Sequence, residues 1–154
     1  AEASEEQQYI SLIRDSEISS KDLAGISILL VEDNELNREI AAELLMEKGA
    51  EVAIAVNGAE AVETVIESEK GSLDLILMDI QMPVMNGYEA ASRIRSLPDP
   101  EKAAIPIIAL SANAFEEDRK RSEENGINAH MSKPIDISEL TEVIGRIMKK
   151  DGND

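Results

Sequence analysis

From Gly25 onward the chain alternates short apolar runs with amphipathic stretches, and that alternation leaves few folds open. The runs cover residues 26–31, 52–56, 73–78, 105–110 and 127–131. Most carry no charge, and the third holds one acid, Asp74, near its start. A strand covered on both faces reads this way, because neither face can expose a charge to water. Between the runs, residues 34–48, 59–68, 88–96 and 114–124 have the makings of helices, and residues 138–150 form a fifth. In the first of these, Ile40, Ala41, Leu44 and Leu45 fall at helical spacing and predict its buried face. Gly49, Gly71, Pro98 and Asn125-Gly126 stand where such helices should stop. Five strands alternating with five helices predict a doubly wound α/β domain, its parallel strands joined by right-handed crossovers.

The length of 154 residues suits one compact core. Phe115, Tyr9 and Tyr88 are the only aromatic residues, so that core must be aliphatic. The six methionines are expected to pack in the core and loops rather than to bind a metal. Absence of cysteine excludes disulfides, thiolate zinc sites and thiol catalysis. No apolar run approaches membrane-spanning length, and the N-terminus lacks the order of a signal peptide. The chain is therefore expected to be soluble and cytoplasmic. A formal charge of −17 argues against a nucleic-acid partner, whose phosphates would repel it. Residues 1–24 are polar and read as a linker or the remnant of a preceding segment, followed by a domain over 25–150 and a tail over 151–154.

Ligands of open parallel sheets bind beyond the carboxyl ends of the strands. The first run ends in Glu32-Asp33, the third in Asp79, the fourth in Ser111 and the fifth in Lys133-Pro134. Each alone could simply begin a loop. Together they have a chemical logic. Three carboxylates in one place repel one another, and a hard cation relieves the repulsion. Mg²⁺ suits a few carboxylates completed by waters and phosphate oxygens. A remaining carboxylate can act as nucleophile toward phosphorus, while an ammonium and a hydroxyl hold the other phosphoryl oxygens. No glycine-rich phosphate loop is present, so a phosphoryl donor must bring its own binding surface.

The segments ILLVEDNELNREIA, LILMDIQMPVMNGYEA, IIALSANAFEED and HMSKPI resemble, in order and spacing, the receiver domain of response regulators and hybrid histidine kinases. The ED-N-x-x-N start and the SANAF stretch lean toward receivers of hybrid kinases. The resemblance implies a flavodoxin-like sheet of order 2-1-3-4-5 and phosphorylation on Asp79. It implies direct Mg²⁺ ligation by Asp33 and Asp79, a water-mediated contact from Glu32 and a backbone carbonyl from Gln81. Lys133 would pair with a carboxylate and then with the phosphoryl group, a cis peptide preceding Pro134. Ser111 would be the switch hydroxyl, Ala112 the small residue that leaves it room, and Gln81 and Asn113 would tune hydrolysis of the acyl phosphate. Glu32 replaces the more usual Asp. His130 stands where a rotating Tyr or Phe is common, and is expected to be a packed or rotating ring rather than a metal ligand or phosphohistidine.

The implied function is that of a phosphorelay receiver in two-component signal transduction. Its donor would be a sensor histidine kinase or a histidine phosphotransfer protein, with Leu36 and Asn37 expected to touch the donor's helices. The isolated chain would be a monomer that catalyses only its own phosphorylation and dephosphorylation. Two other readings stay open: a metal-dependent phosphohydrolase, which would want an acid where Gln81 stands, and an interaction module that needs no phosphate. The polar lead-in and the initial Ala1 favour a piece of a larger kinase over a free-standing receiver.

Overall fold

The computed structural model describes residues 23–82, 84–111, 120–121, 123–133 and 135–152. Five parallel strands form one sheet: β1 (Ser27–Val31), β2 (Glu51–Ala55), β3 (Leu75–Asp79), β4 (Ile107–Ser111) and β5 (Ala129–Ser132). Their order is β2-β1-β3-β4-β5, the doubly wound arrangement expected. The described helices are α1 (Glu35–Glu47), α2 (Gly58–Glu67), α3 (Gly87–Arg95), α4 (Pro100–Ala103) and α5 (Ile137–Gly152). Among the described residues no helix is long and apolar enough to cross a membrane.

The central strands β1, β3 and β4 divide their apolar side chains between two cores, as the alternation of a pleated strand requires. Leu29, Val31, Ile76, Met78, Ile107 and Ala109 face α2 and α3. Ile28, Leu30, Leu75, Leu77, Ile108 and Leu110 face α1 and α5. Each fully buried Leu or Ile contributes roughly 2 kcal/mol through area removed from water. The outer strand β2 differs. Ile54 is exposed and Val52 only partly covered, because an edge strand has a neighbour on one side and less helix above it.

The helix starts repeat one device. Asn34, Asn57 and Asn86 each cap a helix by accepting the N–H three residues on, from Asn37, Glu60 and Glu89 at 2.9, 2.8 and 2.9 Å. At the end of α1, Gly49 has φ +95, which a side chain rarely adopts, and it approaches Ala24 closely.

Several expectations change. The buried face of α1 is Ala41, Ala42 and Leu45, whereas Ile40 is about half exposed and joins exposed Leu36 on the outer side. Met46 is exposed as well, while Met78 and Met131 are core residues. Asp74 precedes β3 rather than lying in it, and its carboxylate accepts the N–H of Ser27 at 2.8 Å. The short helix α4 lay unread, although Asp99 caps it and Pro100 occupies its first turn. The helix expected over 114–124 falls mostly outside the described residues; residues 120, 121, 123 and 124 are helical.

Candidate functional site

The carboxyl ends of β1, β3, β4 and β5 share one rim because the strands are parallel and in register. Asp79 is the last residue of β3 and Ser111 the last of β4, while Glu32 and Lys133 directly follow β1 and β5. Glu32, Asp79 and Ser111 are buried, which a mere loop start would not require. Asp33 is exposed. One carboxylate oxygen from each of Glu32, Asp33 and Asp79 lies within 4.8 Å of the other two.

The Lys133 ammonium bridges the two buried acids, 3.0 Å from Glu32 Oε2 and 2.9 Å from Asp79 Oδ2. Their other oxygens accept backbone N–H groups: Glu32 Oε1 from Asn34 at 3.2 Å, Asp79 Oδ1 from Gln81 at 3.1 Å. Gln81 thus reaches the site through its N–H. Three carboxylates against one ammonium leave the cluster anionic. Its oxygen-only donors, their spacing and one exposed member fit a hard divalent cation such as Mg²⁺.

Electrostatics sets Asp79 apart. Burial raises its carboxyl to about 6, from an ordinary 3.8, with the charge of Glu32 adding to the rise. The Lys133 ammonium and the Gln81 N–H oppose that rise without cancelling it. Lys133 itself is held above its ordinary value. Burial works against its charge, but hydrogen bonds to Asp79 and Glu32 outweigh it. At neutral pH Asp79 is therefore an ionised, poorly solvated and basic carboxylate. That is what a nucleophile needs.

The supporting backbone is tight. Gly87 N–H donates to Ile80 O at 2.9 Å, and a Cβ on Gly87 would lie 2.7 Å from Asp79 O and 2.9 Å from Ile80 Cα. Gly87 is thus required by close approach, not by the positive φ that its Asn-Gly context suggests. The positive φ in this loop belongs to Val84, at 69°, a strained position for a β-branched residue. Arg38, which sequence reasoning passed over, donates to the backbone carbonyl of Glu32 at 3.1 Å and ties α1 to the acidic loop.

Ser111 Oγ lies 2.8 Å from His130 Nε2 on β5. Among the described residues His130 is not a member of the metal-capable cluster. Ala112, Asn113 and Pro134, with its expected cis peptide, lie outside the described residues. Beside the acids a groove of about 300 Å³ opens between α1 and the start of α5, lined among others by Asn37, Ile40, Leu44 and Ile135 and reaching Glu32 and Lys133. Leu36 stands next to it, 65% exposed.

Comparison with known proteins agrees with this geometry. Residues 28–145 match the family model of the response regulator receiver domain. The chain is 38% identical over 130 residues to hybrid signal transduction histidine kinase I of Dictyostelium discoideum, covering 83% of this chain and 8% of that kinase. It therefore spans under a tenth of the length of that relative. Among solved structures, it is similar to the receiver domain of a sensor histidine kinase from Pseudomonas aeruginosa, which has a magnesium ion coordinated in its active-site cleft. That match has a TM-score of 0.70 at 36% identity, over 80% of this chain and 97% of that one. It is also similar to the receiver domain of a Saccharomyces cerevisiae response regulator crystallised with a histidine phosphotransfer protein. There the TM-score is 0.70 at 33% identity, over 80% of this chain and 88% of that one. Family model, sheet order and relatives converge, and the chain belongs to the response regulator receiver domains of two-component signal transduction.

Proposed function

We propose that the chain accepts a phosphoryl group on Asp79 from a phosphohistidine, carried by a sensor kinase or a histidine phosphotransfer protein. The observation that carries this reading is the cluster itself: a buried Asp79, basic for a carboxylate, sharing one ammonium with Glu32 beside exposed Asp33. An Asp79 oxygen forms the new bond to phosphorus as the bond to the donor's imidazole nitrogen breaks, and that nitrogen keeps the electron pair. Lys133 already touches Asp79 and needs little movement to pair with the arriving phosphoryl oxygens. Ser111 supplies a hydroxyl to the same group.

Mg²⁺ would be held by Asp33, Asp79 and the Gln81 carbonyl, with Glu32 acting through water, and would supply charge neutralisation for the phosphoryl oxygens. The donor docks over α1, where Leu36, Asn37 and Ile40 offer an apolar and amide surface beside the groove. A monomeric chain in the cytoplasm belongs to the same reading. Phosphorylation then shifts an existing conformational equilibrium rather than starting a turnover cycle.

Incubation with Mg²⁺ and acetyl phosphate, followed by intact mass and phosphate release, tests this. The expected result is one hydroxylamine-labile phosphoryl group, absent in Asp79→Asn. Release of many equivalents per chain would instead indicate a phosphohydrolase. No gain of mass would leave a phosphate-independent interaction module.

A further inference from the structure

The three carboxylates of the rim are not equally anchored. Glu32 and Asp79 each engage the Lys133 ammonium and a backbone N–H. Asp33 is exposed, and among the described residues no hydrogen bond or ion pair engages its carboxylate. Where that carboxylate points therefore depends on how its backbone is held. The Arg38 guanidinium does the holding. Its Nη1 lies 3.1 Å from Glu32 O and 3.5 Å from Asp33 O, the carbonyls of the two peptide groups that flank Asp33. Arg38 is itself fixed, since its backbone N–H donates to Asn34 O at 2.9 Å and closes the first turn of α1. The guanidinium is half-buried and, among the described residues, forms no ion pair, so no surface acid draws it away.

We infer that Arg38 is a positioning residue that aims Asp33 at the cation and so sets the magnesium affinity of the site. The inference rests on the proposed role of Asp33 as a magnesium ligand. Two effects of Arg38 on that affinity have opposite signs. Its positive charge repels a divalent cation, so charge alone makes Mg²⁺ bind more tightly once Arg38 is neutralised. Its grip on the peptides around Asp33 spares the ion the cost of ordering that ligand, so position alone makes Mg²⁺ bind more weakly once the grip is lost. The charge acts beside an exposed loop, where solvent and salt screen it. The grip corresponds to one net hydrogen bond, or about a fivefold change in affinity, and it is the larger effect.

Binding of Mn²⁺, which suits the same oxygen donors and whose free form is counted by electron paramagnetic resonance, tests this, with Mg²⁺ as competitor. Arg38→Met keeps the stem and removes the donor, and is expected to bind Mn²⁺ about fivefold more weakly. Arg38→Lys restores a charged terminal nitrogen and should return toward the natural affinity. In an Asp33→Ala background the loss caused by Arg38→Met should vanish, because Arg38 acts through Asp33. A merely structural arginine would lower the urea midpoint and leave the binding constants unmoved. Unchanged or tighter binding in Arg38→Met overturns the inference, as does a loss that survives Asp33→Ala. Arg38→Gln, with a shorter amide donor, carries the same test should Arg38→Met fail to fold, and is expected to lie between it and the natural chain. A natural chain that binds neither ion would instead remove the magnesium reading beneath the inference.

Discussion

The two ends of the sheet solve opposite problems. At the amino-terminal end of β4 and β5, the half-buried Arg95 guanidinium is enclosed by acceptors. It donates to the carbonyls of Ala103, Ile105 and Gly126 and to Asn128 Oδ1, at 2.7 to 2.8 Å. Asn128 Oδ1 also accepts the Ile107 N–H, and Asp74 ties the starts of β1 and β3 in the same manner. That charge meets oxygen dipoles rather than other charges, and burial lowers the pKa of the guanidinium. At the carboxyl-terminal end three carboxylates share one ammonium, and burial leaves Asp79 with a raised pKa. One end is closed and stabilising. The other end is anionic, a charge state that a bound cation would relieve, and such a contrast is usual between a rigid scaffold and a reactive site.

The sharpest way to break this comparison is to open the stable end. Arg95→Ala leaves three carbonyls and the Asn128 amide without their charged donor, and should cost about 3 kcal/mol of unfolding free energy. Chemical denaturation reads the loss, while magnesium affinity should stay within about twofold of the natural value, since the site lies at the other end of the strands.

Asp79→Asn should act with the opposite sign. The folded carboxyl titrates near 6 and the unfolded one near 3.8. The protonated form is thus favoured by folding. Its contribution is fully present below the unfolded value and is lost as pH rises through about 6. At pH 7 without metal the natural chain lacks that stability, and the neutral Asn variant should be more stable by about 2 kcal/mol. The gap should close toward pH 4, which denaturation at the two pH values measures. A variant less stable at both would contradict the strained-end account.

The smallest effect concerns the loop beyond Asp79. Val84→Asn places a residue that tolerates positive φ where valine is strained, and should add about 0.5 kcal/mol. No change in thermal midpoint would mean that the loop relaxes freely at Val84.

The two ends also differed in how readable they were. Charge-free runs mark buried strands directly, and polar residues at four strand ends mark the reactive rim, because both signals are local in sequence. The arrangement of Glu32, Asp33, Asp79 and Lys133 follows once the strands are parallel. The Arg95 clamp was not legible: its acceptors lie 8 to 33 residues away, and a helical arginine ordinarily faces water. The Ser111–His130 contact joins residues 19 apart on neighbouring strands and depends on side-chain reach. Ile40 misled because its spacing fits a buried stripe, yet the small residues Ala41 and Ala42 let α1 approach the sheet and leave Ile40 outside. The Asp99-Pro100 pair, by contrast, was a local signal that could have revealed α4.

Thermal unfolding at pH 7, with millimolar MgCl₂ against NaCl of equal ionic strength, asks the central question directly. If the anionic cluster is a magnesium site, Mg²⁺ should raise the midpoint of the natural chain, by an amount equivalent to about 2 to 3 kcal/mol at a hundredfold excess over its dissociation constant. The rise should shrink in Asp79→Asn. Identical midpoints in the two salts would contradict the claim that these carboxylates gather to receive a cation.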